Sequence, residues 1–261
     1  MKTIFSRIAA TWLAALLAGG VQAQAPGASA AAAPKIALTS LVGDTMAITA
    51  YRERTGSNIR TNAVNTIKVS TPVFDVEVLK TVQESLAQAL PAASVSMLRV
   101  PTPGSGGDPA LLFDADGKLV KASPLVEALR QQGFTHLVAV TRHRAPNSVT
   151  AANKVIVGTG HLEGIGFYID PFVRMESVTS TTADQGLIAP HVYVRLSLVD
   201  VAAGEVRATE FITASSLVAA YSNPTGTDPW GALTAEEKVS ALQRLIRARV
   251  GPAAPLLFQT K

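Results

Sequence analysis

Apolar and polar residues alternate with a period of two over several short stretches of this chain, which assigns one set of side chains to each face of a β-strand. Residues 36–42 read as a strand, Gly43-Asp44 permits a tight turn, and residues 45–51 alternate again. An early hairpin follows, with a short loop between less regular strands as the alternative. A polar stretch over 58–65 leads to an edge strand near 66–70, and residues 95–100 return as another. Residues 134–140 read as an interior strand, and residues 155–157 lead into a strand at 167–170. The clearest long strand is 191–199, joined through Asp200 and Gly204 to 206–213 as an antiparallel pair.

Elsewhere the spacing changes to that of a helix. Val76, Leu79, Val82, Leu86 and Leu90 form one stripe, Asp75 is placed to cap it, and Pro91 ends it. Ser123-Pro124 opens a second helix with Leu125, Val126 and Leu129 on its face and Gly133 at its end. Thr234 and Glu237 form a capping box before Val239, Leu242, Leu245 and Ile246. Arg244, Arg247 and Arg249 suit the carboxyl end of that helix, Gly251-Pro252 supplies a stop, and residues 256–258 can pack back onto the sheet. The expected fold is therefore α/β or α+β: one mixed, largely antiparallel sheet packed by about three helices over residues 35–261.

The first 34 residues do not belong to that pattern. Lys2 and Arg7 precede an apolar run over 8–17, and small residues follow, which is the make-up of a secretory signal. Cleavage is placed after Ala23 or after Ala25, and residues 24–34, rich in Ala and Pro, form a flexible linker. The apolar run is short for a membrane span, although an uncleaved amino-terminal anchor is the alternative, and no later segment has the length for one. Export makes the periplasm, or secretion beyond it, the expected location.

Charge and composition narrow the function classes. The 261 residues carry 23 Lys plus Arg against 19 Asp plus Glu, a net charge of +4. Removal of the leader takes away Lys2 and Arg7 and no acid, leaving +2. No basic stripe favours nucleic acid, because Arg142-His143-Arg144 is too short a run. The absence of Cys excludes disulfides, thiol nucleophiles, thiolate metal sites and a cysteine-linked lipid anchor.

Motifs for catalysis are equally sparse. Gly158-Thr-Gly160-His-Leu-Glu-Gly164-Ile-Gly166 follows an apolar strand, yet its sixth position is Glu163, and it matches neither dinucleotide-binding nor P-loop spacing. Glycine in such a stretch is expected to serve bulges and turns. His143, His161, His191 and Asp170 carry donors able to hold a metal, but sequence spacing does not make them meet, so no metal and no cofactor is assigned. Gly-x-Ser-x-Gly is missing, which leaves Ser177, Ser180 and Ser197 to loops or a solvated strand face.

The order KIALTSLVGD, amphipathic helix, FTHLVAV, then VYVRLSLVD paired with EVRATEFIT resembles envelope proteins related to the amino-terminal domain of translocation protein TolB and to curli-assembly proteins. VRLSLVDVAAGEVRA is the most suggestive stretch, and the likeness covers residues 35–249. It implies a mixed α/β domain used in envelope assembly and protein contacts; the missing Cys departs from lipoprotein members. The expected function is an exported, non-catalytic scaffold or adaptor that contacts another envelope protein through a sheet edge or a neighbouring loop. Tyr193 and Arg195 are candidates for the exposed face of such a strand, with core packing as the alternative for Tyr193. The second expectation is a small-ligand-binding protein, or a hydrolase with an unrecognised active site, using His161, Glu163 and Asp170.

Overall fold

The computed structural model describes residues 33–52, 62–69, 72–99, 109–120, 123–150, 156–175, 184–219 and 229–259. The expected leader at 1–23, most of the linker at 24–34, and Ser177 and Ser180 lie outside the described residues. Residues 33–261 make one compact unit. In chain order it contains β1 (Lys35–Leu41), β2 (Thr45–Ala50), β3 (Ala63–Lys68), α1 (Val73–Ala89), β4 (Ser94–Met97), α2 (Pro124–Gln131) and β5 (His136–Arg142). There follow β6 (Arg144–Pro146), β7 (His161–Met175), β8 (Asp184–Asp200), β9 (Glu205–Ser215), β10 (Val218–Ala219), α3 (Ala235–Ala253) and a 3-10 turn, Ala254–Phe258.

The long strand β8 is the axis of the sheet. On one flank its residues 187–193 pair with β7 and its residues 194–200 with β5; on the other it pairs with β9 and β10. Beyond β5 lie β1 and β4, and beyond β7 lie β2 and β3. Pairs β1–β4, β1–β5 and β2–β7 are parallel, and all the other pairs are antiparallel. This is the mixed, largely antiparallel sheet with three helices that the pattern predicts.

The early hairpin does not form. β1 and β2 never pair with each other; the chain bends at Val42–Asp44 and passes from the β5 half of the sheet to the β7 half. Side chains from distant elements hold that bend. The Gly43 N–H donates to Asp75 Oδ1 at 3.1 Å, the Ser40 hydroxyl also donates to Asp75, and Arg142 Nε donates to the Val42 carbonyl at 2.6 Å. Gly43 stands at φ 82, in the left-handed region where a side chain is strained. Asp75 is thus bound to the strands instead of capping α1, whose N-cap position is Pro72. Burial pushes the Asp75 carboxyl up, against the pull of Ser40 and the Gly43 and Val42 N–H groups.

The buried stripe of α1 is Phe74, Val78, Val82 and Leu86, rotated from the expected one, and Val76 is exposed. Asp75 fixes the rotation by facing the β1–β2 bend. Ser123 stands at the N-cap of α2 but makes no capping bond. The box at α3 is present in full: Glu237 N–H donates to Thr234 Oγ1 at 3.2 Å, and Thr234 N–H donates to Glu237 Oε2 at 2.8 Å. Pro252 lies inside α3 instead of stopping it, and the chain runs on into the 3-10 turn.

α1, α3 and the 3-10 turn cover one side of the sheet over a continuous apolar core that includes Ile36, Val138, Phe167, Val192, Val194 and Leu196. The opposite side is covered in two patches. One, under α2, contains Leu112, Phe113, Leu129 and Leu137; the other contains Val149, Leu162, Tyr168 and Tyr193.

Candidate functional site

Alternation along β8 sends Val192, Val194, Leu196 and Leu198 to the α1/α3 side and His191, Tyr193, Arg195 and Ser197 to the other. Neither set faces water. Tyr193 is 0% exposed; its Oη accepts the Ser148 N–H at 2.9 Å and lies 2.8 Å from Ser148 Oγ. Arg195 is half-buried: its Nη2 donates to the Gly117 carbonyl at 2.7 Å, and its guanidinium lies 4.9 Å from the centroid of Phe113. The exposed-face position expected for Tyr193 and Arg195 is therefore corrected: β8 is interior, with strands on both flanks, and covering segments bury its polar side.

His161, Glu163 and Asp170 do not converge. His161 and Asp170 stand nine positions apart on β7, about 30 Å at ~3.3 Å per residue. His161 is exposed, whereas Asp170 is 4% exposed and accepts the Phe172 N–H at 2.9 Å and the Tyr168 hydroxyl at 3.4 Å. Burial raises the Asp170 carboxyl, and the Phe172 and Val173 N–H groups oppose the rise. Glu163, two positions from His161 on the same face of β7, lines a small cleft of about 160 Å³ with Arg142, Thr45 and Thr66, seven positions from Asp170. The convergence raised for His143, His161, His191 and Asp170 is absent as well: among the described residues no three His, Asp or Glu side chains gather as a metal set.

The neighbouring glycines answer to packing. A Cβ on Gly166 would stand 1.9 Å from the Ala47 carbonyl oxygen on the paired strand, and one on Gly158 would stand 2.2 Å from Asn147 Oδ1. His191 lies opposite Gly166, 0% exposed, and neither ring nitrogen has a hydrogen-bond partner among the described residues. Burial takes its pKa down to about 4; the Glu163 backbone opposes that fall without meeting hydrogen-bond geometry.

The edge strand β3 exposes Val64 and Ile67, and further exposed features of the sheet lie at β9. Among the described residues it pairs only with β8, so one edge of this eleven-residue strand has no strand partner. Glu205, Arg207 and Glu210 mark its first half, and a bulge places Arg207 opposite no residue of β8. Its second half, from Phe211 to Ser215, carries no charge. Phe211 is 58% exposed, with its ring centroid 4.6 Å from that of His143. Burial, then Arg195, lowers the His143 pKa.

Beside the first half of β9, on the α1/α3 side, opens a cleft of about 720 Å³, within the size range of ligand sites. It lies between β9, the ends of β5 and β8, and residues 256–259. His136 and Asp200 are direct cross-strand partners there. Asp200 Oδ2 accepts from Arg207 Nη2 at 3.0 Å and Nε at 3.3 Å, and its Oδ1 accepts the Ala203 N–H at 2.9 Å. The Ala203 N–H, followed by Arg207, holds the Asp200 carboxyl below its usual range. His136 is pushed down by burial, with Asp200 pulling the other way; its Nδ1 lies 2.9 Å from Thr135 Oγ1 and its ring meets Phe258 edge-on at 5.8 Å. His136 belongs to no motif of the sequence. Its signal was the DVAAGEVR turn, which brings Asp200 and Arg207 together, but the partnership with His136 depends on sheet register.

Among the described residues no helix is long and apolar enough to cross a membrane. No family model matches the chain, and no curated protein matches it. Solved structures give distant likenesses. Protein XCC0632 from Xanthomonas campestris is 9% identical, with a TM-score of 0.38, over 85% of this chain and 82% of that one. The PelC dodecamer of Paraburkholderia phytofirmans gives 11% identity and a TM-score of 0.35 over 88% of this chain and 91% of that one. A putative neuraminyllactose-binding hemagglutinin homolog from Helicobacter pylori gives 9% and 0.35 over 88% and 84%.

Proposed function

We propose that the chain is an exported, non-catalytic adaptor of the cell envelope, and that an extended segment of another envelope protein docks along the outer edge of β9. The observation that carries this reading is the edge itself: eleven residues long, paired on one flank among the described residues, and uncharged from Phe211 to Ser215. Strand addition to such an edge uses backbone hydrogen bonds for attachment and side chains for selection. The charges and the bulge at residues 205–210 restrain indiscriminate pairing on that half. Lys2, Arg7 and the apolar run after them support export.

A photo-crosslinking residue at Phe211, compared with one at the exposed Val76 on α1, tests the placement in the native host. The expected result is one dominant envelope partner at 211 and none at 76. With that partner purified, hydrogen exchange should slow at alternate amides of β9, those directed away from β8. Protection confined to another surface overturns the reading, and fractionation showing uncleaved chain in the cytosol overturns export.

A further inference from the structure

Strand register fixes what the outer edge of β9 offers a partner. The Ser216 N–H donates to the Pro190 carbonyl at 3.0 Å, and the pairing continues unbroken from His191 opposite Ser215 to Leu198 opposite Ala208. Hydrogen-bonded and non-bonded pairs alternate in an antiparallel ladder, so the even-numbered residues of this stretch turn their backbone groups toward β8. Those of Thr209, Phe211, Thr213 and Ser215 are directed outward, where no strand pairs with them among the described residues. The side chains of these same residues stand opposite Ser197, Arg195, Tyr193 and His191, on the polar side of the sheet. One set of residues therefore supplies the outward hydrogen-bonding groups and a row of uncharged side chains beside them.

Phe211 is the large apolar member of that row. Its ring is 58% exposed, and the His143 ring reaches it across β8, 4.6 Å between centroids and tilted by 43°. His143 thus takes the inner flank of the ring, and the outer flank lies over the unpaired edge. A residue of an added antiparallel strand directly opposite Phe211 would exchange backbone hydrogen bonds with it and point to the same side, with the two Cβ atoms about 5 Å apart. We infer that this position is an aromatic subsite: the segment docked on β9 sets a Phe, Tyr or Trp opposite Phe211 and extends the His143–Phe211 pair into a row of three rings. Two rings in offset or edge-on contact gain beyond the area they bury. Thr209 and Thr213, two positions to either side of Phe211, flank the incoming ring. An aliphatic side chain would cover Phe211 without the ring contact. A lysine would bring its charge toward Arg195, whose own charge is already felt at His143.

This inference rests on β9 docking, and the experiment separates the two. Three ten-residue peptides of alternating Thr and Val, identical except for Phe, Leu or Lys at one central position, are titrated into the full mature chain. Anisotropy reads affinity, and amide and methyl chemical shifts read location. The Phe peptide should bind about fivefold tighter than the Leu peptide, the scale of one aromatic pair, and the Lys peptide should bind most weakly. The ring of the Phe peptide should also move the Thr209 and Thr213 methyl resonances further than the Leu peptide does, which tests the placement without any substitution. Phe211→Leu, with the fold checked by circular dichroism, keeps an apolar side chain and loses the ring, so it should bind the Phe and Leu peptides alike. Shifts on β9 with equal affinity of the parent chain for the Phe and Leu peptides would overturn the subsite and leave the edge reading standing. A preference for Phe that survives in Phe211→Leu would do the same, and tightest binding by the Leu or Lys peptide would overturn the stated selectivity. Absence of any β9 shift at millimolar peptide would count against both.

Discussion

The two sides of β8 are both buried, yet they are built from different materials. Toward α1 and α3 the strand presents Val192, Val194, Leu196 and Leu198; toward the opposite side it presents His191, Tyr193, Arg195 and Ser197. The first side depends on apolar packing alone. The second depends on whether each polar group finds a partner, since an unpaired buried group incurs its desolvation penalty. Tyr193 and the Nη2 of Arg195 have such partners in Ser148 and Gly117, whereas the Arg195 Nε has none among the described residues. His191 and Ser197, together with Thr39, have none for their side-chain polar atoms among the described residues. Thr39 and Ser197 flank Ala139 in one row across the sheet, and both are 0% exposed. Alternation therefore says which residues share a side, and it does not say which side is wet.

Substitution on the apolar side should give the largest loss. Phe167 is 0% exposed and meets Trp230 edge-on at 5.5 Å. Phe167→Ala removes buried area and leaves a cavity, so urea denaturation should show a loss of about 3–5 kcal/mol. A loss below about 1 kcal/mol would mean that this side repacks freely, and the contrast between the two sides would fail.

Acid should act through the polar side. His191 has a folded pKa of about 4 against an ordinary value of 6.5. The unfolded chain binds the proton more tightly, so this group's contribution is complete above pH 6.5 and is lost as pH falls toward 4. The full difference corresponds to about 3 kcal/mol. Burial raises Asp75 and Asp170, which act in the opposite direction: protonation favours the fold, and that contribution fades as pH rises through their folded pKa values. The His191→Phe variant isolates the histidine share. Its stability should change less between pH 7 and pH 4 than that of the parent chain; equal slopes would show that the imidazole is hydrated or paired.

Features that were legible in the sequence are mostly local. The 191–199 strand, its hairpin to β9 and the capping box at Thr234 each depend on residues within a few positions of one another. Thr234→Ala should accordingly cost about 1 kcal/mol in thermal or urea unfolding, the usual worth of a side-chain N-cap. Features that were not legible are made by distant residues. Gly43-Asp44 is compatible with a hairpin or a bend, and Asp75 and Arg142 decide for the bend. HVYVRLSLV reads as a half-solvated strand because its covering segments, among the described residues 109–120, 144–150 and 156–158, contain little regular structure to announce them. The β9 cleft depends on register, which places His136 against Asp200 across the sheet, while Gln259 arrives from the far end of the chain.

The smallest effect should come from Ser197→Ala, and it sharpens the contrast most. Serine buried with no partner has already lost its hydration, so removing the hydroxyl removes a penalty along with a little packing. The expected change is within about 1 kcal/mol of zero, with stabilisation as the favoured sign. Thr39→Val should behave in the same way, because it exchanges a hydroxyl for a methyl of similar size one row-mate away. The two hydroxyls flank the same alanine, so their double variant tests whether they act separately. Additive small changes would identify them as independent unpaired groups. A loss above about 2 kcal/mol in either single variant, or a double variant no worse than one single, would mean that the two share a hydrogen-bonded bridge and that the polar side is satisfied after all.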